Sequence, residues 1–406
     1  MKRSLPVALS AAAVVVVAGA WLASRRLAEG SVATAAPSAA AASASASAAV
    51  ASAPPAEPHV RQSERGFDIL SPVYTIDRIY RSMMGPQSMQ HIPMKSDGAS
   101  NDQELVWVTG LKATMVAPDG QTPMPPEYMC HVNVDIDPLA HEKSYGHPLN
   151  ISGRLFTLSQ GQIDVALPKG FGIPIRSDQV VDITTQVLNL NTHSDPFGVR
   201  HHVEMSALRD SAAKQPMKPL FMAGVYGLAL LKGEHGHFGK EKPSHEGTGC
   251  MMGKAASDGS YVDPQGKEFT GHWIVKPGRE VNRTDVTTMM NLPFDTTIHY
   301  IAVHLHPFAE SLTLIDRTTG ETVYSAKTRQ LEGKIGLAHV DSFSSEEGVK
   351  VYKDHEYELE SVYENTTGED QDSMAVMLLY LHDKQFTRTP VATQPAAAPS
   401  SSSSAK

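Results

Sequence analysis

Apolar and polar residues alternate along much of the chain between residues 105 and 382. Runs of this kind, rich in β-branched side chains, cover 105–116, 162–167, 179–190, 199–208, 297–306, 311–316, 351–364 and 374–382. A period of two is typical of strands with one buried face. Turn sequences such as Pro-Asp-Gly and Asn-Thr-Thr-Gly separate the runs. The pattern therefore predicts an all-β protein of antiparallel sandwiches.

Domain organisation follows from breaks in this pattern. One helix is expected at 75–84 (TIDRIYRSMM), where a threonine can cap the first turn. The strand pattern is interrupted at 212–219 by AAKQPMKP. We expect one β-sandwich domain at 58–215 and a second at 216–390, because domains of about 150 residues are typical. A tail rich in Ala, Pro and Ser follows at 391–406.

The amino-terminal residues 1–26 predict export. Lys2 and Arg3 precede an uncharged apolar run, and Arg25 and Arg26 follow it. A cleaved signal peptide and a retained transmembrane anchor both remain open, because a run of about 20 apolar residues can cross a bilayer. Residues 27–57, rich in Ala, Ser and Pro, are expected to form a disordered linker. We therefore expect the protein in the cell envelope on the periplasmic side, or secreted, with a membrane contact if the segment is uncleaved.

Composition narrows the class of function. The net charge of −9 argues against a nucleic-acid partner, which would require a basic face. Two cysteines exclude a disulfide-dense scaffold but permit one bridge. The 18 His and 17 Met residues are the ligand types that copper prefers.

Histidines at the end of one predicted strand suggest a metal site. In the sequence His304-Leu305-His306 the two imidazoles lie on the same face of the strand, close enough to chelate one ion. Two surface or core histidines remain the alternative. His201 and His202 lie on opposite faces of their strand, so at most one of them can join any given site.

Two long segments resemble the copper type II, ascorbate-dependent monooxygenases, the family of peptidylglycine α-hydroxylating and dopamine β-monooxygenases. They are IHYIAVHLHPFAESLTLIDRTTGETVY at 298–324 and YENTTGEDQDSMAVMLLYLHD at 363–383. Shorter segments, LPKGFGIPI at 167–175 and IVKPGREV at 274–281, agree in order. The resemblance runs in collinear patches from about 105 to 385, and it implies two jelly-roll β-sandwich domains in tandem.

The resemblance also implies a ligand set and a reaction. His304, His306 and Met374 match the copper ligands at which the family binds O2 and hydroxylates its substrate. Without the resemblance, Met374 would be interpreted as a core methionine. The implied reaction inserts oxygen into a C–H bond of a small or peptide-like substrate, with O2 and ascorbate or a similar reductant. No residue beyond the metal ligands is expected to be catalytic.

The family's other copper site is altered in this chain. His131 matches its second histidine, Cys130 occupies the position of the first, and Leu188 that of the third. Only one of three nitrogen ligands is retained. Either this second copper is absent, or other groups replace the lost ligands.

A long loop at 232–270 could supply replacement ligands. The tentative ligands are His235, His237 and His245 in the loop and His202 on the strand at 199–208. A disulfide between Cys130 and Cys250 would tie this loop beside His131, and exported proteins favour such bridges. Copper ligation by a thiolate and two free thiols remain alternatives, as does a loop that is only a surface insertion.

Two other functions remain open at this point. A non-catalytic copper-binding envelope protein of the same fold would explain the altered site and the many His and Met residues. A structural β-sandwich would explain the fold but would not require His304, His306 and Met374 together.

Overall fold

Strands dominate the computed structural model, as the alternation predicts. It describes residues 57–63, 65–81, 84–94, 103–145, 153–191, 195–230, 260–262 and 266–388. The predicted run at 105–116 is a strand with those bounds, and the runs at 179–190, 199–208, 297–306, 311–316 and 374–382 are strands whose bounds differ by at most three residues. The prediction of an all-β fold built from antiparallel sandwiches is confirmed.

The first half contains eleven strands among its described residues. They are β1 (His59–Ser63), β2 (Gly66–Leu70), β3 (Tyr74–Ile76), β4 (Gln87–Pro93), β5 (Leu105–Val116), β6 (Met129–Ile136), β7 (Arg154–Ser159), β8 (Asp164–Ala166), β9 (Phe171–Arg176), β10 (Val180–Val187) and β11 (Phe197–Arg209). A helix, α1 (Pro138–Tyr145), and two 3₁₀ turns, Pro126–Tyr128 and Asp210–Ala212, lie between strands.

The second half adds fourteen described strands and one short helix, α2 (Thr287–Met290). The strands are β12 (Lys218–Tyr226), β13 (Ala229–Leu230), β14 (Ser260–Val262), β15 (Glu268–Thr270), β16 (Trp273–Val275), β17 (Gly278–Asp285), β18 (Thr296–Leu305), β19 (Ala309–Asp316), β20 (Glu321–Gln330), β21 (Leu337–Val340), β22 (Phe343–Val351), β23 (Tyr357–Asn365), β24 (Gln371–Ser373) and β25 (Ala375–His382).

One long sheet runs through both halves. Its strand order is β1-β2-β11-β5-β9-β12-β25-β18-β22, with β3 and β8 attached to its first half. The four-stranded sheet β4-β10-β6-β7 contributes side chains to the first hydrophobic core. The five-stranded sheet β17-β23-β19-β20-β21 contributes to the second. The long sheet joins the halves through a parallel pairing of β9 with β12, which departs from the otherwise antiparallel pattern.

The section β12-β25-β18 of the long sheet is buried on both faces. Along β25, Leu378 and Tyr380 belong to the first core, whereas Met377 and Leu379 belong to the second. A strand buried on both faces has no polar alternation, which explains the nearly continuous apolar run MAVMLLYLH. This section therefore forms a shared layer between two hydrophobic cores, while the domain boundary at 215/216 stays a prediction.

Three expectations about local structure were wrong. The loop expected at 232–270 contains strands β14 and β15 among its described residues. The helix expected at 75–84 is absent over its described residues, because Tyr74 and Ile76 are buried with the period of a strand. Tyr80 pairs by backbone hydrogen bonds with Asn189 rather than with its own helical turn. The single run at 351–364 is divided by a turn between β22 and β23.

The predicted export segment at 1–26, the linker at 27–56 and the tail at 391–406 lie outside the described residues. Within the described ranges, every helix is too short or too polar to span a bilayer.

Candidate metal centre

A cavity of about 270 Å³ opens where β18 ends and β24 begins. Its wall includes Cys130, Gln160 and Leu188 from the first half of the chain, and His306 and Asp372 from the second. Both halves of the chain thus contribute to the wall of this cavity.

His304 and His306 both line this cavity. They are 5% and 7% exposed, and their ring centroids lie 5.3 Å apart with the planes at 88°. His304 is the penultimate residue of β18, and His306 follows the end of the strand. The sequence places them two residues apart, so the strand geometry directs both toward the same side.

Strand register brings Met374 beside His306. In the pairing of β18 with β25, Leu305 lies opposite Ala375. Continuing that antiparallel register by one residue sets His306 opposite Met374. Met374 is 1% exposed, and its carbonyl oxygen accepts a hydrogen bond of 2.5 Å from the Tyr363 hydroxyl. His306 and Met374 each adjoin a residue of this last pair, so the three residues implied as copper ligands lie near one end of the β18–β25 ladder.

A further histidine reaches the same point from the other side. In the pairing of β16 with β24, Trp273 lies opposite Ser373. Continuing this register sets His272 beside Met374 as well. The rings of His272 and His306 have centroids 5.5 Å apart. One ligand atom each from His272, His306 and Asp372 lies within 4.8 Å of the other two.

Asp372 orients the imidazole of His306. The His306 Nδ1 atom lies 3.2 Å from Asp372 Oδ2. Burial alone lowers the pKa of His306, but the neighbouring carboxylate outweighs it and raises that pKa above its ordinary value. Because Nδ1 is engaged by the carboxylate, Nε2 is the ring nitrogen that can serve a metal, an arrangement frequent at protein metal sites.

His304 is held as a neutral imidazole. Burial lowers its pKa well below the ordinary value, and the adjacent His306, His131 and His272 lower it further. Neither ring nitrogen of His304 has a hydrogen-bond partner among the described residues. A neutral imidazole is the form that binds metal. Buried imidazole nitrogens with a nearby thioether fit a late transition metal such as copper.

The altered first site also borders the cavity. Cys130 and Leu188, the positions that the sequence resemblance aligns with two histidine ligands, both line it. His131 is fully buried, with its Nδ1 atom 3.1 Å from the amide nitrogen of Asn133. Its Nε2 atom has no hydrogen-bond partner among the residues described. Of the three positions that the resemblance aligns with nitrogen ligands, His131 alone carries an imidazole.

His201 is a neighbour of His131, whereas the sequence analysis chose His202 of this pair as the tentative ligand. It is fully buried on β11, and the described residues offer neither of its ring nitrogens a hydrogen bond. Burial lowers the pKa of both His131 and His201 to about 3. His202, the tentative ligand, points away from this core and bonds Asp68 Oδ2 at 2.8 Å.

The remaining predicted site residues cannot be placed. His235, His237, His245 and Cys250 lie outside the described residues, so the loop site and the disulfide stay predictions. Cys130, the described cysteine of the predicted bridge, is buried at 7% exposure.

Sequence reasoning missed His272 and Asp372. Asp372 had a signal, because it stands two residues before Met374 in the sequence DSM. His272 had none, since only the pairing of β16 with β24 brings it to the centre.

Comparisons with known proteins do not identify a family. No known protein-family profile matches the chain, and no curated protein matches it. A solved structure of Melon necrotic spot virus is 11% identical over 84% of this chain and 97% of that one, with a TM-score of 0.15. A structure of Cucumber Leaf Spot Virus is 12% identical over 84% and 94%, with a TM-score of 0.13. Likenesses this weak carry no argument, so the family resemblance stays a sequence-based prediction.

Proposed function

We propose that this protein is a copper-dependent monooxygenase that hydroxylates a C–H bond of a small or peptide-like substrate. The observation that supports the proposal is that His304 and His306 lie buried beside a cavity, and that buried Met374 adjoins the last pair of the β18–β25 ladder. When bound there, copper would supply the one-electron redox steps that reaction with O2 requires.

Each side chain has a defined part in this centre. His304 offers a neutral imidazole, because burial holds its pKa well below the ordinary value. Asp372 fixes the ring of His306 so that Nε2 is directed away from the carboxylate. The Met374 thioether is a soft ligand that favours Cu(I), the state that reacts with O2.

The cavity suits a small substrate or one end of a larger one. Its volume of about 270 Å³ lies at the lower end of the range typical of ligand pockets. Leu190, Phe308 and Ile335 give it apolar walls, and Gln371 and Glu369 add polar groups. Apolar walls limit water beside the centre, which protects a reactive site from side reactions.

The overall reaction balances with an external reductant. A substrate R–H, one O2, two electrons and two protons give R–OH and one water. Ascorbate or a similar reductant would supply the two electrons, as the resemblance implies. Small amines and peptide carboxyl termini are the substrate classes to test first.

A non-catalytic copper-binding envelope protein is the second candidate. It is favoured by Cys130 and Leu188, which stand on the cavity wall where the family's second copper would have imidazole ligands. A chain that has lost the ligands of an electron-transfer copper could retain copper binding without turnover.

The test uses the full-length chain loaded with copper. Copper per chain and transfer of ¹⁸O from ¹⁸O₂ to a panel of small amines and peptides are measured with ascorbate present. We expect His304→Gln and His306→Gln to lose both copper and labelled product. His299→Gln is the matched control, because His299 lies on the same strand but stacks on Phe171, with ring centroids 4.1 Å apart.

Each outcome decides between the candidates. Copper bound through His304 and His306 without labelled product from any substrate would favour the binding protein. A folded wild-type chain that binds no copper would refute both.

A further inference from the structure

We propose that His272 is an additional ligand of this metal centre, which would then hold copper through three imidazoles from His272, His304 and His306. This inference rests on the proposed function, because it concerns the same site. The sequence resemblance implies no role for His272. The geometry of β16, β24 and β18 carries the assignment.

His272 occupies a fixed position at the start of β16. Its backbone N–H donates to Thr270 Oγ1 at 3.1 Å, and the Thr270 hydroxyl donates to the His272 carbonyl oxygen at 2.7 Å. The Ser373 hydroxyl donates to the Trp273 carbonyl oxygen at 2.9 Å, which secures the next residue to β24. The imidazole is therefore delivered by ordered backbone, as a preorganised ligand requires.

Distances place the imidazole within reach of a shared ion. The ligand atoms of His272, His306 and Asp372 lie within 4.8 Å of one another. Small rotations of the side chains would bring the atoms to bonding distance. His272 is 1% exposed, so the ring is already withdrawn from solvent.

Asp372 is a positioning residue in this proposal rather than a ligand. Its Oδ2 atom already meets His306 Nδ1 at 3.2 Å. The proposal therefore assigns the ligand role to the nitrogens of His272, His304 and His306, and the role of holding the His306 ring to Asp372. Three imidazoles and a thioether hold Cu(II) more firmly than two imidazoles and a thioether, because imidazole suits the harder oxidised ion.

The third imidazole has a chemical consequence for this chain. Cys130 and Leu188 stand where the family's second site would have two nitrogen ligands. His272 adds a nitrogen ligand at the other centre, from the second half of the chain alone. The nitrogen ligands are thus concentrated at one centre rather than divided between two.

The experiment counts nitrogen ligands in the full-length chain loaded with Cu(II). Pulsed electron paramagnetic resonance gives the number of coordinated imidazoles, and competition with a chelator gives the dissociation constant. We expect three imidazoles in the wild type and two in His272→Gln, with affinity at least about tenfold weaker. His299→Gln serves again as the control and should keep three coordinated imidazoles.

The outcomes separate this inference from the proposed function. Copper held with two imidazoles in the wild type, or with the same count and affinity in His272→Gln, would overturn the role of His272 alone. Should His272→Gln fail to fold, the wild-type count still decides, because it needs no variant. Absence of copper from the folded wild type would refute both proposals.

Discussion

The Nδ1 atom of His306 lies 3.2 Å from the Oδ2 atom of Asp372, and their side chains are only 8% and 11% exposed. Such a contact fixes both the orientation of the imidazole and the nitrogen that carries its proton. It joins residues 66 positions apart, from the end of β18 and from β24. The candidate centre thus has a support that does not depend on the metal.

Replacing the Asp372 carboxylate should weaken copper binding without unfolding the protein. In Asp372→Asn the amide bears no charge, so His306 loses its orienting partner, and we expect copper affinity to fall about 10- to 100-fold. Competition with a chelator measures the copper affinity of the variant. Asp370→Asn is the control, because Asp370 is more exposed and pairs with Lys276 at 2.6 Å instead. Equal affinities of the two variants would contradict a positioning role for Asp372.

The hydroxyl of Tyr363 should support both stability and the metal site. Its hydrogen bond to the Met374 carbonyl is buried, so Tyr363→Phe leaves that oxygen unpaired and should lower the free energy of unfolding by about 1–3 kcal/mol. We expect copper affinity to fall as well, because Met374 loses a backbone restraint.

Tyr357→Phe is the matched control for that variant. Tyr357 lies on the same strand, and its hydroxyl donates to the Tyr352 carbonyl oxygen at 3.1 Å. Denaturant titration should show a loss of stability in both variants, whereas copper affinity should change only in Tyr363→Phe. A change of copper affinity in both would mean that general loosening, not the Met374 contact, is responsible.

Buried His201 should make the metal-free protein sensitive to acid. Burial lowers its pKa to about 3 in the folded state, while the unfolded chain takes up a proton near the ordinary value of 6.5. The unfolded state therefore binds more protons between pH 6.5 and about 3, and stability falls as the pH falls through this window. The slope from one such histidine approaches about 1.4 kcal/mol per pH unit.

His201→Leu should reduce this slope and stabilise the metal-free protein by about 1 kcal/mol or more near pH 7, because two unpartnered polar atoms leave the core. Denaturant titrations at a series of pH values give the free energy of unfolding at each pH and its slope with pH. The exposed His91, replaced in the same way, controls for composition. An unchanged acid slope in His201→Leu would show that His201 is not buried as a neutral imidazole.

The bridge between Cys130 and Cys250 remains a prediction from the sequence. Peptide mapping of the unreduced, denatured protein should find the two cysteines joined, and intact mass should rise by two alkyl groups only after reduction. Such a bridge closes a long loop and would stabilise the protein by about 2–4 kcal/mol. Two thiols that react with alkylating agent before reduction would exclude it.

Local sequence patterns predicted the strands well where one residue in two is buried, as from Val203 to Ala207 of β11. They failed at 75–84, because the backbone pairing of Tyr80 with Asn189 joins positions too far apart for a local pattern to reveal. The same limit applies to the site. His304 and His306 could be predicted as a pair because their spacing is local, whereas His272 depends on pairing between strands almost a hundred residues apart.

The sequence also could not show which of His201 and His202 points into the core. Alternation establishes that the two side chains point to opposite faces but not which face meets the core. The pairing of β11 with β2 decides this, since it brings His202 to Asp68 and leaves His201 inside.

The shared layer of β12, β25 and β18 has a consequence for how the chain folds during synthesis. Tyr380, near the carboxyl end, stacks on Phe156 with ring centroids 5.6 Å apart, and its hydroxyl donates to the Leu155 carbonyl oxygen at 2.9 Å. The amino-terminal half therefore cannot complete its own interior until nearly all of the polypeptide has been made. Until then it exposes apolar surface that would bind a chaperone, and truncation before β25 should leave both halves incompletely folded.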